Sequence, residues 1–238
     1  MPIEIRLEPL VIAIDGPAGS GKSTVAQQLA RALGLPYVDS GATYRAAALK
    51  VLESAIPPAE EERIAGLMAT MALEGIAGAG TFRVLLDGRD VTAEIRSPQV
   101  THLASVISRI PGVRQALIAM QRKFARGRGV VMEGRDIGTV VFPDAPLKVF
   151  LTGSPLARAR RRMADEQVKG RELSLEEVAR EIEQRDQRDC ERKISPLVPA
   201  PDACVIDSTH LSAHDVVHRI LQLLKKNNLI SRVEITGE

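Results

Sequence analysis

The octapeptide GPAGSGKS at 16–23 follows the apolar run LVIAI at 10–14 and leads directly into a helical pattern. It meets the spacing G-x-x-x-x-G-K-[ST] in strand–loop–helix context, which is where that spacing acquires a physical meaning. Gly16, Gly19 and Gly21 let the main chain turn tightly and aim its N–H groups inward. The helix opening near Lys22 adds its positive end. Lys22 supplies a full charge for phosphate, and the hydroxyl of Ser23 or Thr24 can hold a Mg²⁺ that travels with the phosphates. Gly16, Pro17, Ala18, Gly19, Ser20, Gly21, Lys22, Ser23 and Thr24 are therefore the candidate ligands of a nucleoside triphosphate.

The remaining pattern suits the sheet that such a loop requires. Val25, Ala26, Leu29, Ala30 and Leu33 share one helical face over 22–33, and Gly34 stops the helix. Strand-like runs recur at 35–38, 130–133, 147–151 and 203–207, with helices between them. The expected fold is α/β: a P-loop NTPase-type parallel five-stranded sheet with helices on both faces. Its core should be built from 9–41 and 128–224. The segment 42–127 breaks the alternation and reads as an inserted lobe. Helices are predicted near 43–53, 60–73, 98–110 and 112–126, the third capped by Ser97 and Pro98. A hairpin is predicted over 81–92 around Asp87-Gly88. A shorter insertion, 163–175, ends at the capping pair Ser174 and Glu177 and reads as a mobile lid. The tail, 225–238, is expected to fray from Asn227 onward.

Composition removes several classes of function. Of 238 residues, 45% are hydrophobic and the net charge is only +2, so no overall field points to nucleic acid or a membrane surface. Aromatic residues are 3%, too few for a base-stacking platform. Cys190 and Cys204 make no disulfide framework, and no signal peptide or transmembrane-length run is read. A cytoplasmic location is expected. His214 and His218 share a helix face without a ligand partner at metal spacing other than Asp215, and read as surface. A GTPase switch would need N-K-x-D, but the two asparagines, Asn227 and Asn228, lie in the tail. A regulatory ATPase borrows arginines from neighbours, whereas this chain carries its own. That leaves a small-molecule kinase, which needs a second anion site.

Two anions brought to about 4 Å repel by ~1 kcal/mol in water and ~4 kcal/mol at an effective dielectric near 20. Guanidinium groups offset that repulsion and grip phosphate bidentately. Tyr44 and Arg45 follow the second strand, and Arg135 and Asp136 follow the third. Both places lie beyond the carboxyl ends of strands, where open α/β sheets bind ligands. Arg158 and Arg162 share a helix face; Arg185, Asp189 and Arg192 share another. Arg160 and Arg161 read as surface or intrahelical pairing.

The segments IDGPAGSGKST, DSGATYR, EGRDIGTVVFPDAPLKVFL, RDQRDCERKISPLVPAPDA and VIDSTHLS, in order between about 9 and 223, resemble bacterial cytidylate kinases. The resemblance implies a nucleoside-monophosphate kinase that passes a phosphoryl group from ATP to CMP or dCMP with Mg²⁺, as a monomer without nucleic-acid or membrane partners. It makes 42–127 a monophosphate-binding lobe and 163–175 its lid. It implies that Arg45, Arg135 and Arg192 hold the CMP phosphate, and that Ser105, Arg114 and Asp136 read cytosine. Arg185 and Asp189 would hold the ribose, with Ser40, Tyr44 and Gly134 lining the pocket. Arg158 and Arg162 would reach the ATP phosphates. Glu133 stands where the family pattern carries Asp, and Lys22-Ser23-Thr24 replaces the Lys-Gly-Thr of some members. The runner-up is another small-molecule P-loop kinase with a different acceptor.

Overall fold

The apolar run Val11–Asp15 forms β1, buried from Ile12 onward. In a computed structural model, which describes residues 10–168 and 172–230, this strand is the middle of a parallel sheet. The chain continues through α1 (Lys22–Leu33), β2 (Tyr37–Asp39) and α2 (Ser40–Glu53). Next come α3 (Glu61–Thr70), β3 (Leu73–Gly78), β4 (Thr81–Leu86), β5 (Arg89–Asp90), α4 (Pro98–Ile107) and α5 (Pro111–Phe124). It then returns through β6 (Val130–Gly134), a π-helical turn (Ile137–Val141), β7 (Leu147–Thr152), α6 (Pro155–Val168), α7 (Leu175–Cys190), β8 (Cys204–Asp207) and α8 (Ala213–Lys226).

The five-stranded sheet has the order β2-β6-β1-β7-β8, with every pairing parallel. Strand order reverses across β1, so the loop after β1 opens at a switch point, the place where α/β sheets bind ligands. Ile12 and Ile14 of β1 and Val130, Val131 and Met132 of β6 are fully buried, as two-sided coverage by helices demands. The expected sheet is therefore the observed one.

Local signals explain most element ends. Gly34 adopts φ 65° and closes α1. Ser97 accepts from the Val100 N–H, with Pro98 in the first turn of α4. Ser174 and Glu177 complete their capping box. One end moved: α2 begins at Ser40 because Asp39 caps it, accepting from the Ala42 N–H at 3.0 Å.

The 42–127 segment departs more from expectation. Instead of one hairpin it holds a three-stranded antiparallel sheet, β3-β4-β5. The helix predicted to 73 ends at Thr70, and Leu73–Gly78 is a strand. Gly75 hid it. A Cβ there would lie 2.6 Å from the Phe124 ring and 2.7 Å from the Phe82 ring, so the glycine lets two edge-on aromatics close over the strand. The tail also departs, since Leu229 packs on the core and Ile230 is buried; 231–238 lie outside the described residues. Of the predicted lid, 169–171 also lie outside them. Among the described residues, no helix is long and apolar enough to cross a membrane.

Candidate active site

The carboxyl ends of β1, β2 and β6 surround a cavity of about 480 Å³. On one side lies the 16–23 loop. Gly16 has φ 148°, and a Cβ would sit 2.0 Å from the Leu151 carbonyl oxygen of β7. Gly19 has φ 71°, and a Cβ would meet the Arg158 carbonyl at 2.6 Å. Both positions are closed to side chains, and this pins the loop between β7 and α6.

Lys22 is buried, and its ammonium donates to the Pro17 carbonyl at 2.6 Å and to Ser20 Oγ at 3.3 Å. Burial, then the Arg135 charge, pulls its pKa down to about 7. A polyphosphate beside it favours the charged form and so opposes both effects. Ser23 and Thr24 line the cavity. Ser23 hydrogen-bonds the buried Glu133, whose Oε1 also accepts the Tyr37 hydroxyl at 2.6 Å. Burial and the Asp39 charge hold the Glu133 carboxyl above the usual range. A hydroxyl paired with a carboxylate is an oxygen donor set suited to Mg²⁺. No group of three His, Cys, Asp or Glu side chains among the described residues could hold a metal independently.

Opposite the loop the cavity is cationic. Arg45, Arg135, Arg185 and Arg192 line it. Arg45 pairs with Asp39. Burial opposes charge on Asp39, but Arg45 and Arg96 outweigh it and hold the carboxyl below its usual value. Asp189 takes both Arg135, at 2.8 Å, and Arg192. Burial, then Arg135, lowers the Arg185 pKa to about 9, so it remains cationic at neutral pH. Among the described residues, the buried Nε atoms of Arg45, Arg185 and Arg192 have no protein partner, nor do Tyr44 Oη and Ser105 Oγ. Unsatisfied buried polar atoms cost about 1–3 kcal/mol each, so five around one cavity mark a site built for a polar ligand.

At the far end, Arg114 and Asp136 form a buried ion pair. Arg114 also donates to Ser195 Oγ and to the Ser108 carbonyl, both at 3.2 Å, and lies 5.5 Å from the Tyr44 ring centroid. The pair presents a fixed donor and acceptor edge beside the free Ser105 hydroxyl. Ser40 and Gly134 complete the wall.

Thus the cavity gathers Ala18, Gly19, Gly21, Lys22, Ser23 and Thr24 with Ser40, Tyr44, Arg45, Ser105, Arg114, Gly134, Arg135, Asp136, Arg162, Arg185, Asp189 and Arg192. Gly16, Pro17 and Ser20 of the loop stand apart from this lining, as does Arg158, whose guanidinium binds Asp186 and the Ala18 carbonyl. Arg162 lines the cavity while pairing with Glu166 at 2.8 Å. Arg161, expected at the surface or in intrahelical pairing, is half-buried instead. It lines the cavity and donates to Ser208 Oγ at 2.9 Å, on the far side of the phosphate loop. The sequence reading also missed Asp39, Arg96, Ser108, Asp186 and Ser195. Asp39 alone had a local signal, an Asp directly before a helix. The others come together only through folding.

A phosphate loop at a sheet switch point, facing a second cationic pocket, defines the class: a P-loop kinase that brings two anionic substrates together. The family model described as cytidylate kinase matches residues 12–226. The cytidylate kinase of Desulfitobacterium hafniense is 52% identical over 90% of this chain and 92% of that protein. That of Caldanaerobacter subterraneus is 50% identical over 91% and 95% respectively. A solved structure from Eubacterium ventriosum, 14% identical, covers 91% of this chain and 98% of its own with TM-score 0.51, a likeness of fold alone. The chain belongs to the cytidylate kinase family, and it is an ATP-dependent nucleoside-monophosphate kinase.

Proposed function

We propose that this chain transfers the γ-phosphoryl group of ATP to CMP or dCMP, giving CDP or dCDP by direct in-line displacement. The observation that carries the reading is the buried Arg114–Asp136 pair beside the free Ser105 hydroxyl, at the end of a cationic pocket that faces Lys22. Cytosine offers an amino donor next to ring-nitrogen and carbonyl acceptors. A carboxylate, a guanidinium and a hydroxyl match that edge. Uracil reverses part of it and leaves buried groups unpaired, which favours cytosine.

In this reading Arg45, Arg135 and Arg192 hold the acceptor phosphate, Arg185 and Asp189 the ribose, and Lys22 with the loop N–H groups the donor phosphates. Arg158 and Arg162 would reach the ATP phosphates from α6, Arg158 from its place on Asp186 and the Ala18 carbonyl of the phosphate loop. The acceptor is already an anion, so positioning and charge neutralisation suffice and no phosphoenzyme forms. Ser23 or Thr24, with Glu133 behind it, would hold the Mg²⁺ that the nucleotide carries, and that ion supplies charge neutralisation between the phosphates. The 42–127 segment acts as the monophosphate-binding lobe and 163–175 as its lid. The enzyme works as a monomer on small molecules.

The test is ADP release with ATP and Mg²⁺ and a parallel panel of CMP, dCMP, UMP and AMP. Strong turnover with the two cytosine nucleotides and weak turnover with UMP is expected. Equal turnover with UMP removes Arg114 and Asp136 from base reading. Lys22→Ala is expected to abolish transfer with CMP, and near-native turnover of that variant overturns the assigned donor site.

A further inference from the structure

Asp186 on α7 ties the phosphate loop to the helix that carries acceptor-site residues. Its Oδ1 accepts the Ala18 N–H at 3.0 Å, and its other oxygen takes the Arg158 guanidinium. Arg158 in turn donates to the Ala18 carbonyl at 3.0 Å and to the Gly153 carbonyl at 3.0 Å. The two peptide groups that flank the Ala18 Cα are thus both held, the N–H by a carboxylate and the C=O by the guanidinium paired with it. The Ala18 side chain sits in a small apolar cluster, separate from the main core, with Ala159 of α6 and Val178 and Ile182 of α7. On the same helix, Arg185 and Asp189 line the acceptor side of the cavity. One helix therefore grips the donor loop at 186 and lines the acceptor pocket at 185 and 189.

We infer that Asp186 is a positioning residue for phosphoryl transfer, which sets the register of the donor loop against the acceptor-binding helix; the inference rests on the kinase reading above. In-line transfer needs the reacting atoms about 3–3.5 Å apart, and a misplacement of about 1 Å costs on the order of 10²-fold in rate. The close approaches of Gly16 to Leu151 and of Gly19 to Arg158 set the loop against β7 and α6, and the Asp186–Ala18–Arg158 unit ties it to α7 as well. The carboxylate touches a loop peptide and an arginine and lies outside the cavity lining, so it acts through them and not on substrate.

Asp186→Asn keeps an acceptor for the Ala18 N–H and removes the charge that holds Arg158. The expected result is a kcat with CMP lowered about ten- to hundredfold. Affinities for ATP and for CMP, each measured alone by calorimetry, are expected to stay within about threefold of native, and the melting temperature to change little. Asp186→Glu, which restores the charge one methylene further out, is expected to recover part of kcat. Three outcomes overturn the inference: native kcat in Asp186→Asn, both affinities and melting temperature falling together, or ATP affinity rising because the carboxylate competes with phosphate for the loop. Absence of CMP turnover in the native protein run alongside strikes the kinase reading instead, and the two failures are thereby separate.

Discussion

Lys22 holds a charge where burial and Arg135 disfavour it, and its pKa of about 7 without nucleotide is far below the usual lysine value. ATP phosphates favour the protonated form, so binding should draw a proton from solvent at pH above about 7. The Lys22 contribution to affinity is expected to be fully present below pH 7, where the side chain is already charged, and to fall as pH rises through 7 toward the bound-state value. Calorimetry of ATP binding at pH 8.5, in buffers of different ionisation enthalpy, is expected to show uptake approaching about one proton. No uptake there means that Lys22 is already charged. Asp136 is tested separately. Asp136→Ala leaves Arg114 as a buried unpaired charge, which should cost about 3–5 kcal/mol of stability. It should also lower the CMP-to-UMP ratio of kcat/KM by more than it lowers ATP affinity. An unchanged ratio would assign Asp136 to structure alone.

Elements differ in how openly their sequences declare them. Strands β1 and β6 are continuous apolar runs, and α1, α4 and α7 carry their own start or stop signals, so they could be placed from residues alone. Strand β3 could not. Its Gly75 looks like a breaker until Phe82 and Phe124, distant in sequence, are seen to close over it. Gly75→Ala is therefore expected to destabilise the protein by about 1–3 kcal/mol through overpacking, read as a lower urea midpoint with unchanged m. The small sheet does not line the cavity, so kcat should stay near native. An unshifted midpoint would mean that the rings give way freely. Helix α6 illustrates the same contrast. Its arginines were visible as a helical stripe, yet Arg161 turned inward to Ser208 while Arg158 turned to Asp186. Helical spacing reports which residues share a face, and the partners across from that face come from elsewhere in the chain.

For the whole molecule, charge is distributed unevenly. A net charge of +2 conceals a cavity lined by nine Lys and Arg side chains against five Asp and Glu. Such a surplus within one concave site attracts anions. Inorganic phosphate or sulfate should therefore raise the melting temperature. At about a hundred times its dissociation constant, a bound anion adds about 2.7 kcal/mol, or roughly 5–10 °C for a chain of this length. Sodium chloride of equal ionic strength should raise it much less. Equal effects from both salts would reduce the surplus to general screening.

The phosphate loop, the parallel sheet and the identity of most cavity residues were legible in the residues alone. Their reason is local: glycines at fixed offsets, apolar strand runs and arginines just beyond strand ends act within a few positions of chain. Strand β3 of the small antiparallel sheet, the inward turn of Arg161, the buried end at Ile230 and the clamp of Asp186 on Ala18 were not legible. Each depends on groups brought together from afar; Asp186 and Ala18 are 168 positions apart. Such contacts are selected by burial and by the need to pair every buried charge, and those demands exist only once the chain has packed.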